Sequence, residues 1–166
     1  MAQSKTDSVS VFLVDDDLCV CEMVGQKLRS FKEISFLGSA ENTTKAFTEI
    51  SSLKPQVLLL DIVLKGDFGA NLFNRLKDAL GEKAPPAIGF SCFTFESAVQ
   101  NLLFNGMQGF HAKGDSWTDL VQGIHTVNAG GEFFSESILT MFRTHFPSVT
   151  VEKILSLKRL TTAEMR

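Results

Sequence analysis

The chain has 166 residues, of which 44% are hydrophobic and 21% charged, and its formal net charge is -3. This length accommodates one α/β domain and a short appendage, but not two full domains. The weak acidic balance excludes a strong electrostatic attraction to nucleic acid or to an anionic membrane, so DNA binding has to come from elsewhere. The polar N-terminus and the odd count of three cysteines favour a cytoplasmic protein without a disulfide framework.

The apolar pattern alternates between strand and helix five times. Val9–Val14 predicts the first strand, Ile34–Leu37 the second, and Val57–Leu60 the third, which is aliphatic throughout. Ala87–Phe90 predicts a fourth strand, and a short fifth strand surrounds Phe110. Because a stripe of apolar residues at helical spacing follows each strand, the sequence predicts an α/β fold with a five-stranded parallel sheet, doubly wound by helices on both faces.

Polar side chains stand where several of these strands end. The residues at or just past the strand ends are Asp15, Asp16, Asp61, Ser91 and Lys113. Because the loops that follow parallel strands lie on one edge of the sheet, these groups are expected to converge on one cleft.

This set of groups has a specific chemistry. Carboxylates from adjacent loops suit a hard divalent ion such as Mg²⁺, which prefers oxygen ligands. A lysine ammonium and a serine hydroxyl beside them supply a charge and a donor for phosphoryl oxygens. Together these groups predict transfer of a phosphoryl group to a carboxylate nucleophile, with Asp61 as the acceptor.

In type and spacing these residues resemble the receiver domain of two-component response regulators, a flavodoxin-like fold of which CheY is the single-domain example. The matching positions are the acidic pair Asp15 and Asp16, the phosphoacceptor Asp61, the hydroxyl residue Ser91, the switch aromatic Phe110 and Lys113. The resemblance implies that a sensor histidine kinase is the phosphoryl donor. It also implies a signalling domain that is not an enzyme beyond catalysing its own phosphorylation and dephosphorylation.

The resemblance further implies a Mg²⁺ site and a conformational switch. The ion would be held by Asp16, Asp61 and the backbone carbonyl of Val63, with Asp15 in support. A phosphoryl group on Asp61 would draw the Ser91 hydroxyl inward, and the ring of Phe110 would turn into the vacated space.

The C-terminal part resembles the LuxR/NarL type of response regulator. Gly109–Lys113, the later Ala129–Glu132 and Ser135 match that type, and Leu160–Glu164 is similar to the opening of its helix-turn-helix domain. The predicted organisation is a receiver at 8–131, a helical linker at 132–160 and the first turn of a missing DNA-binding domain at 161–166. DNA binding would occur only through that missing domain, and phosphorylation would favour a homodimer.

Some residues depart from the family pattern near the acceptor. Lys65, in a predicted loop, and Gly114 stand where proline is common, and Cys92 replaces the usual alanine. Cys92, Val63 and Phe93 are expected to control access to the phosphoryl group. Because Val63 and Phe93 are apolar and cannot orient a hydrolytic water, they predict a long lifetime for the phosphoryl group on Asp61.

Two alternatives differ in class. Asp15-x-Asp17, Ser91 and the acidic Gly114–Asp119 stretch resemble the motifs of haloacid-dehalogenase-type phosphatases, but residues 92–112 lack the lysine that this family needs, and Asp61 stays unexplained. A receiver that acts only through protein partners is the other alternative.

Overall fold

The computed structural model describes residues 8–92 and 94–145. Its strands are β1 (Val9–Val14), β2 (Ile34–Ala40), β3 (Val57–Leu60), β4 (Val63–Leu64), β5 (Asp67–Phe68), β6 (Ala87–Ser91), β7 (Gly109–Ala112) and β8 (Phe133–Phe134). Its helices are α1 (Leu18–Arg29), α2 (Thr43–Leu53), α3 (Gly69–Leu80), α4 (Glu96–Phe104), α5 (Trp117–Asn128) and α6 (Glu136–His145). The five predicted pairs of strand and helix are present in the predicted order.

Six of the described strands form one parallel sheet in the order β2-β1-β3-β6-β7-β8. The predicted parallel α/β sheet is confirmed, but the predicted number of five strands is one too low. The additional strand is β8, in which Phe133 and Phe134 pair with Gly109 and Phe110 of β7. Two residues are too few to show a strand period in the sequence, which is why the pattern did not reveal this strand.

Helices cover both faces of the sheet. Alternate residues of β1 point to opposite faces, so Phe12 and Val14 join one apolar cluster, whereas Val11 and Leu13 join another. Helices α2, α3, α4 and α6 contribute to the first cluster, and α1 and α5 contribute to the second. This packing fixes the central strands and therefore the positions of the residues at their carboxyl ends.

A small antiparallel hairpin follows β3. Val63 pairs with Phe68 and Leu64 with Asp67, and Gly66 in the turn has a φ of 80°. The loop predicted at Lys65–Gly69 is therefore shorter than expected, since β5 and the start of α3 lie within it. The hairpin gives the segment after Asp61 regular hydrogen bonding instead of a free loop.

The described part of the predicted linker packs on the receiver. Residues 132–145 contain β8 and α6, and the rings of Phe134 and Phe142 meet edge to face with their centroids 6.2 Å apart. The rest of the predicted linker and the predicted helix-turn-helix start, residues 146–166, lie outside the described residues. Among the helices described, none combines the length and apolar character needed to cross a bilayer.

Candidate functional site

Asp61 lies at the carboxyl end of β3 and is only 5% exposed. Its Oδ1 accepts a hydrogen bond of 2.7 Å from the backbone N–H of Ile62 and one of 2.6 Å from the Ser91 hydroxyl. Ser91 ends β6, the neighbour of β3 in the sheet, so the predicted convergence of these two strand ends is observed. The hydrogen bonds fix the orientation of the carboxylate.

Lys113 joins the carboxylates of two strands. Its Nζ lies 2.6 Å from Asp15 Oδ2 and 2.8 Å from Asp61 Oδ2, and all three side chains are largely shielded from solvent. Burial on its own would lower the pKa of Lys113, but the hydrogen bonds and charges of Asp15 and Asp61 outweigh it and raise that pKa. The ammonium ion is therefore a permanent positive charge at the site near neutral pH.

Asp15 is a buried acid in a polar setting. Burial raises its pKa, which the Lys113 ion pair and a hydrogen bond from the Asp17 backbone N–H oppose. The thiol of Cys21, a member of the second apolar cluster, donates a hydrogen bond of 3.2 Å to the Asp15 carbonyl oxygen. Asp15 is thus held in place by α1 on one side and by Lys113 on the other.

Three carboxylates could share one metal ion. Asp15, Asp16 and Asp61 each offer an oxygen, and these atoms all lie within 4.8 Å of one another. Asp16 is exposed to solvent, which suits an ion that keeps several water ligands. An all-oxygen donor set of this kind fits Mg²⁺. Asp17 has a different role, since its carboxylate caps α1 by accepting hydrogen bonds from the backbone N–H groups of Cys19 and Val20.

The predicted switch residues are both inside the protein. Ser91 and Phe110 are each 0% exposed, and Phe110 shares an apolar cluster with Ile138 and Phe142 of α6. The movement expected of Ser91 and Phe110 on phosphorylation stays a prediction.

The residues expected to control access have different environments. Val63 is 39% exposed on the hairpin, and Cys92 is exposed after β6. Phe93 lies outside the described residues. A groove of about 600 Å³ lies beside the site, and Ile62, Val63, Phe68 and Phe95 are among the uncharged residues that line it.

Gly69 is a residue of the site that the sequence interpretation missed. A Cβ at this position would lie 2.1 Å from the backbone carbonyl oxygen of Asp61, closer than any real contact. Its amide also donates a 2.9 Å hydrogen bond to the Ile62 carbonyl. The glycine in the sequence suggested only a loop, and no pattern in the sequence indicates how closely it packs on Asp61.

The phosphatase alternative requires an arrangement that these residues do not form. Asp17 caps a helix, and Asp115 of the acidic stretch accepts hydrogen bonds from Ser137 at the start of α6. The lysine at the site, Lys113, follows β7 and lies against Asp61, which the phosphatase interpretation left without a role.

The comparison with protein families agrees with this geometry. A model of the response regulator receiver domain matches residues 11–125. The chain belongs to the response regulator receiver family.

Relatives of this receiver include NarL-type regulators. The nitrate/nitrite response regulator protein NarL of Escherichia coli (strain K12) is 25% identical over 135 residues, which cover 81% of this chain and 62% of NarL. Response regulator GacA of Pseudomonas protegens is 26% identical over 145 residues, covering 84% of this chain and 66% of GacA. The predicted resemblance to the NarL type is confirmed, and the chain spans less than two thirds of the length of either relative.

Solved structures share the fold of this receiver. A two-component response regulator of the LuxR family from Aurantimonas sp. SI85-9A1 has a TM-score of 0.77 at 19% identity, covering 84% of this chain and 98% of that chain. The isolated receiver of RcsB from Salmonella enterica serovar Typhimurium has a TM-score of 0.71 at 20% identity, covering 81% of this chain and 99% of that chain. These similarities confirm the predicted CheY-like fold.

Proposed function

We propose that this receiver accepts a phosphoryl group on Asp61 from the phosphohistidine of a sensor histidine kinase, in a reaction that requires Mg²⁺. The observation that carries the proposal is the Lys113 ammonium, which lies within 2.8 Å of both Asp15 and Asp61, together with the Ser91 hydroxyl on the same Asp61 carboxylate. Such preorganised positive charge and donors stabilise the charge that spreads over a transferring phosphoryl group.

Asp61, Lys113 and Ser91 have different roles in the proposed transfer. An oxygen of Asp61 forms a bond to phosphorus as the bond from phosphorus to the donor nitrogen breaks, and the nitrogen keeps the electron pair and is protonated. The Lys113 ammonium and the Ser91 hydroxyl, which lie on Asp61 before transfer, then bind the phosphoryl oxygens. The chain thus catalyses its own phosphorylation.

Asp16 and Asp61 would hold Mg²⁺ with the backbone carbonyl of Val63, and Asp15 would support them through its position beside Lys113. The short distances among the three acids and the exposure of Asp16 support this assignment. When bound, the ion would offset the repulsion between the acceptor carboxylate and the incoming phosphoryl group.

The output we propose is control of transcription through a C-terminal DNA-binding domain, with a phosphorylated homodimer as the active form. The similarity to NarL supports this output. Among structural neighbours, RcsB has been solved in a complex with DNA and as dimers bound to two DNAs. A receiver that draws its phosphoryl group from an ATP-dependent kinase works in the cytoplasm.

Slow hydrolysis of the phosphoryl group on Asp61 is part of the same proposal. Val63 and Phe93 cannot align a hydrolytic water by hydrogen bonding, and Cys92 adds bulk after Ser91. Changing Val63 to Asn and Phe93 to Glu is expected to speed dephosphorylation by about tenfold, equivalent to roughly 1.4 kcal/mol of barrier.

The test of the phosphoacceptor is intact-mass analysis after incubation with a small acyl phosphate and Mg²⁺. The wild type should gain one phosphoryl group, whereas Asp61→Asn, or the wild type in EDTA, should gain none. Asp67→Asn removes a partly buried carboxylate of the nearby hairpin and is the matched control, which should react like the wild type. Modification that persists in Asp61→Asn would place the acceptor elsewhere.

A further inference from the structure

The segment that carries Lys113 is hydrogen bonded to the start of α6. Before the lysine, the Ser135 backbone N–H donates to the Phe110 carbonyl at 3.0 Å, and the Ala112 N–H donates to the Ser135 hydroxyl at 3.1 Å. Ser135 is only 1% exposed, so these hydrogen bonds are shielded from water. They attach the end of β7 to the residue that precedes α6.

After the lysine, Asp115 makes the corresponding attachment. Its Oδ2 accepts a 3.1 Å hydrogen bond from the Ser137 backbone N–H, and its Oδ1 accepts a short one from the Ser137 hydroxyl. Burial would raise the pKa of Asp115, but hydrogen bonds from Ser135 and Ser137 hold it below its usual range. The charged carboxylate therefore caps the first turn of α6 from a different part of the chain.

Gly114 lies between Lys113 and Asp115. A Cβ at Gly114 would meet no heavy atom within 4 Å in the described part of the chain, its two neighbours in sequence aside. Glycine has the largest backbone freedom to lose, so this link does not by itself fix the lysine. The Lys113 backbone N–H donates a 3.0 Å hydrogen bond to the Ser91 carbonyl, and the attachments at Ala112 and Asp115 restrict the chain on either side of the lysine.

We propose that Asp115 is a positioning residue for phosphoryl transfer: by anchoring the segment after Lys113 to α6, it holds the Lys113 ammonium between Asp15 and Asp61. The inference rests on the proposed function. Lys113 needs this help because its Nζ has to stay within hydrogen-bond distance of two carboxylates at once. Binding free energies couple in both directions, so a phosphoryl group that engages Lys113 also tightens the attachment of α6.

The experiment measures the rate of Asp61 phosphorylation by a small acyl phosphate at saturating Mg²⁺. In Asp115→Ala the rate should fall by about tenfold, because a displaced catalytic group loses rate steeply. Asp115→Asn should restore most of the rate, because asparagine caps helices about as well as aspartate. Asp119→Ala, which removes the same charge from the first turn of α5, is the matched control and should stay within about twofold of the wild type.

A second measurement detects the coupling to α6. Beryllofluoride with Mg²⁺, a mimic of the phosphoryl group, should slow hydrogen exchange of the α6 amides in the wild type but not in Asp115→Ala. If Asp115→Ala does not fold, Ser137→Ala tests the same attachment from the other partner.

Three outcomes separate the alternatives. A wild-type chain that gains no phosphoryl group would overturn the proposed function itself. Normal phosphorylation of the wild type together with an unchanged rate in Asp115→Ala would overturn only the role of Asp115. An equal change of rate in Asp115→Ala and Asp115→Asn would assign the effect to the charge of the carboxylate and would also overturn the anchoring role.

Discussion

The carboxyl edge of β1, β3 and β7 and the outer edge formed by β8 and α6 are assembled by different means. At the first edge, charged side chains such as Asp61 and Lys113 meet at the ends of fully buried strands. At the second edge, a strand of two residues is added where backbone approaches backbone over Gly109. The comparison shows that a site made of charged and polar side chains can be predicted from the sequence. A close backbone contact over a glycine leaves almost no pattern in the sequence from which it could be predicted.

The largest effect is expected from Gly69→Ala. Gly69 lies at the first edge, but like Gly109 at the second edge it allows a close approach of backbone to backbone. The added methyl group would lie 2.1 Å from the Asp61 carbonyl oxygen, so β3 or α3 has to move. We expect phosphorylation of Asp61 to slow by about a hundredfold, as for a displacement of about 1 Å at a reacting group. Intact-mass kinetics measure the rate.

Gly114→Ala is the matched control for this substitution, since its added Cβ would meet open space beside Lys113. It should leave stability equal or slightly higher, because alanine restricts the unfolded chain. If Asp61 is phosphorylated as fast in Gly69→Ala as in Gly114→Ala, the close approach of Gly69 to Asp61 is not needed for the reaction.

Gly109→Ala is the corresponding substitution at the outer edge. Its Cβ would lie 2.2 Å from the Phe133 carbonyl oxygen and push β8 away from β7. We expect the free energy of unfolding to fall by about 2 kcal/mol, in the range for overpacking. Phosphorylation should survive, slowed by at most about tenfold through the loosened α6. Urea denaturation measures the loss of stability and intact-mass kinetics measure the phosphorylation rate on the same sample. Complete loss of phosphorylation would mean that the outer edge is as important for the reaction as the carboxyl edge.

Asp16 and Asp17 test whether neighbouring acids of the first edge have separate tasks. Asp16→Ala should weaken Mg²⁺ binding by roughly tenfold with little loss of stability, because a metal ligand is removed from an exposed position. Asp17→Ala should lower the free energy of unfolding by about 1 kcal/mol through the lost cap of α1 and leave Mg²⁺ binding nearly intact. Calorimetric Mg²⁺ titration and urea denaturation give both quantities, and the opposite pattern would shift the acidic register by one residue.

The two edges also show how far the sequence could be interpreted. The buried run Val57–Leu60 predicted a central strand, and the polar residues at strand ends predicted the convergence of Asp15, Asp61, Ser91 and Lys113, because parallel strands direct their ends to one edge. The strand β8 could not be predicted, since two phenylalanines carry no period.

The hairpin after Asp61 and the capping of α6 by Asp115 were missed for a related reason. The hairpin pairs only two residues on each side, and the hydrogen bonds of Asp115 join residues 22 positions apart in sequence. Neither short pairing nor long-range capping leaves a local pattern. The roles of Val63 and Phe93 in the lifetime of the phosphoryl group stay predictions.

His111 links the two edges from within β7. Its ring stacks between Phe90 and Phe133, with centroids 5.8 and 6.2 Å away, and its Nε2 lies 3.1 Å from the Ser116 carbonyl oxygen, to which it donates in the neutral form. In the described part of the chain, its buried Nδ1 has no hydrogen-bond partner. A second proton on this ring would therefore be placed where nothing accepts it.

The smallest effect is expected from the protonation of His111. Burial lowers its pKa from the ordinary 6.5, although the Ser116 carbonyl and the charges of Asp115 and Asp119 oppose the shift. Since the unfolded chain takes up this proton more readily, the stabilising contribution is present above about pH 6.5 and is lost as pH falls below it. In His111→Phe, which keeps the aromatic stack, the decline in unfolding free energy between pH 6.5 and lower pH should be shallower, as urea denaturation at each pH can show. His125→Gln in α5 is the matched control, and an identical pH slope in His111→Phe and wild type would mean that this histidine is protonated in the folded protein without cost.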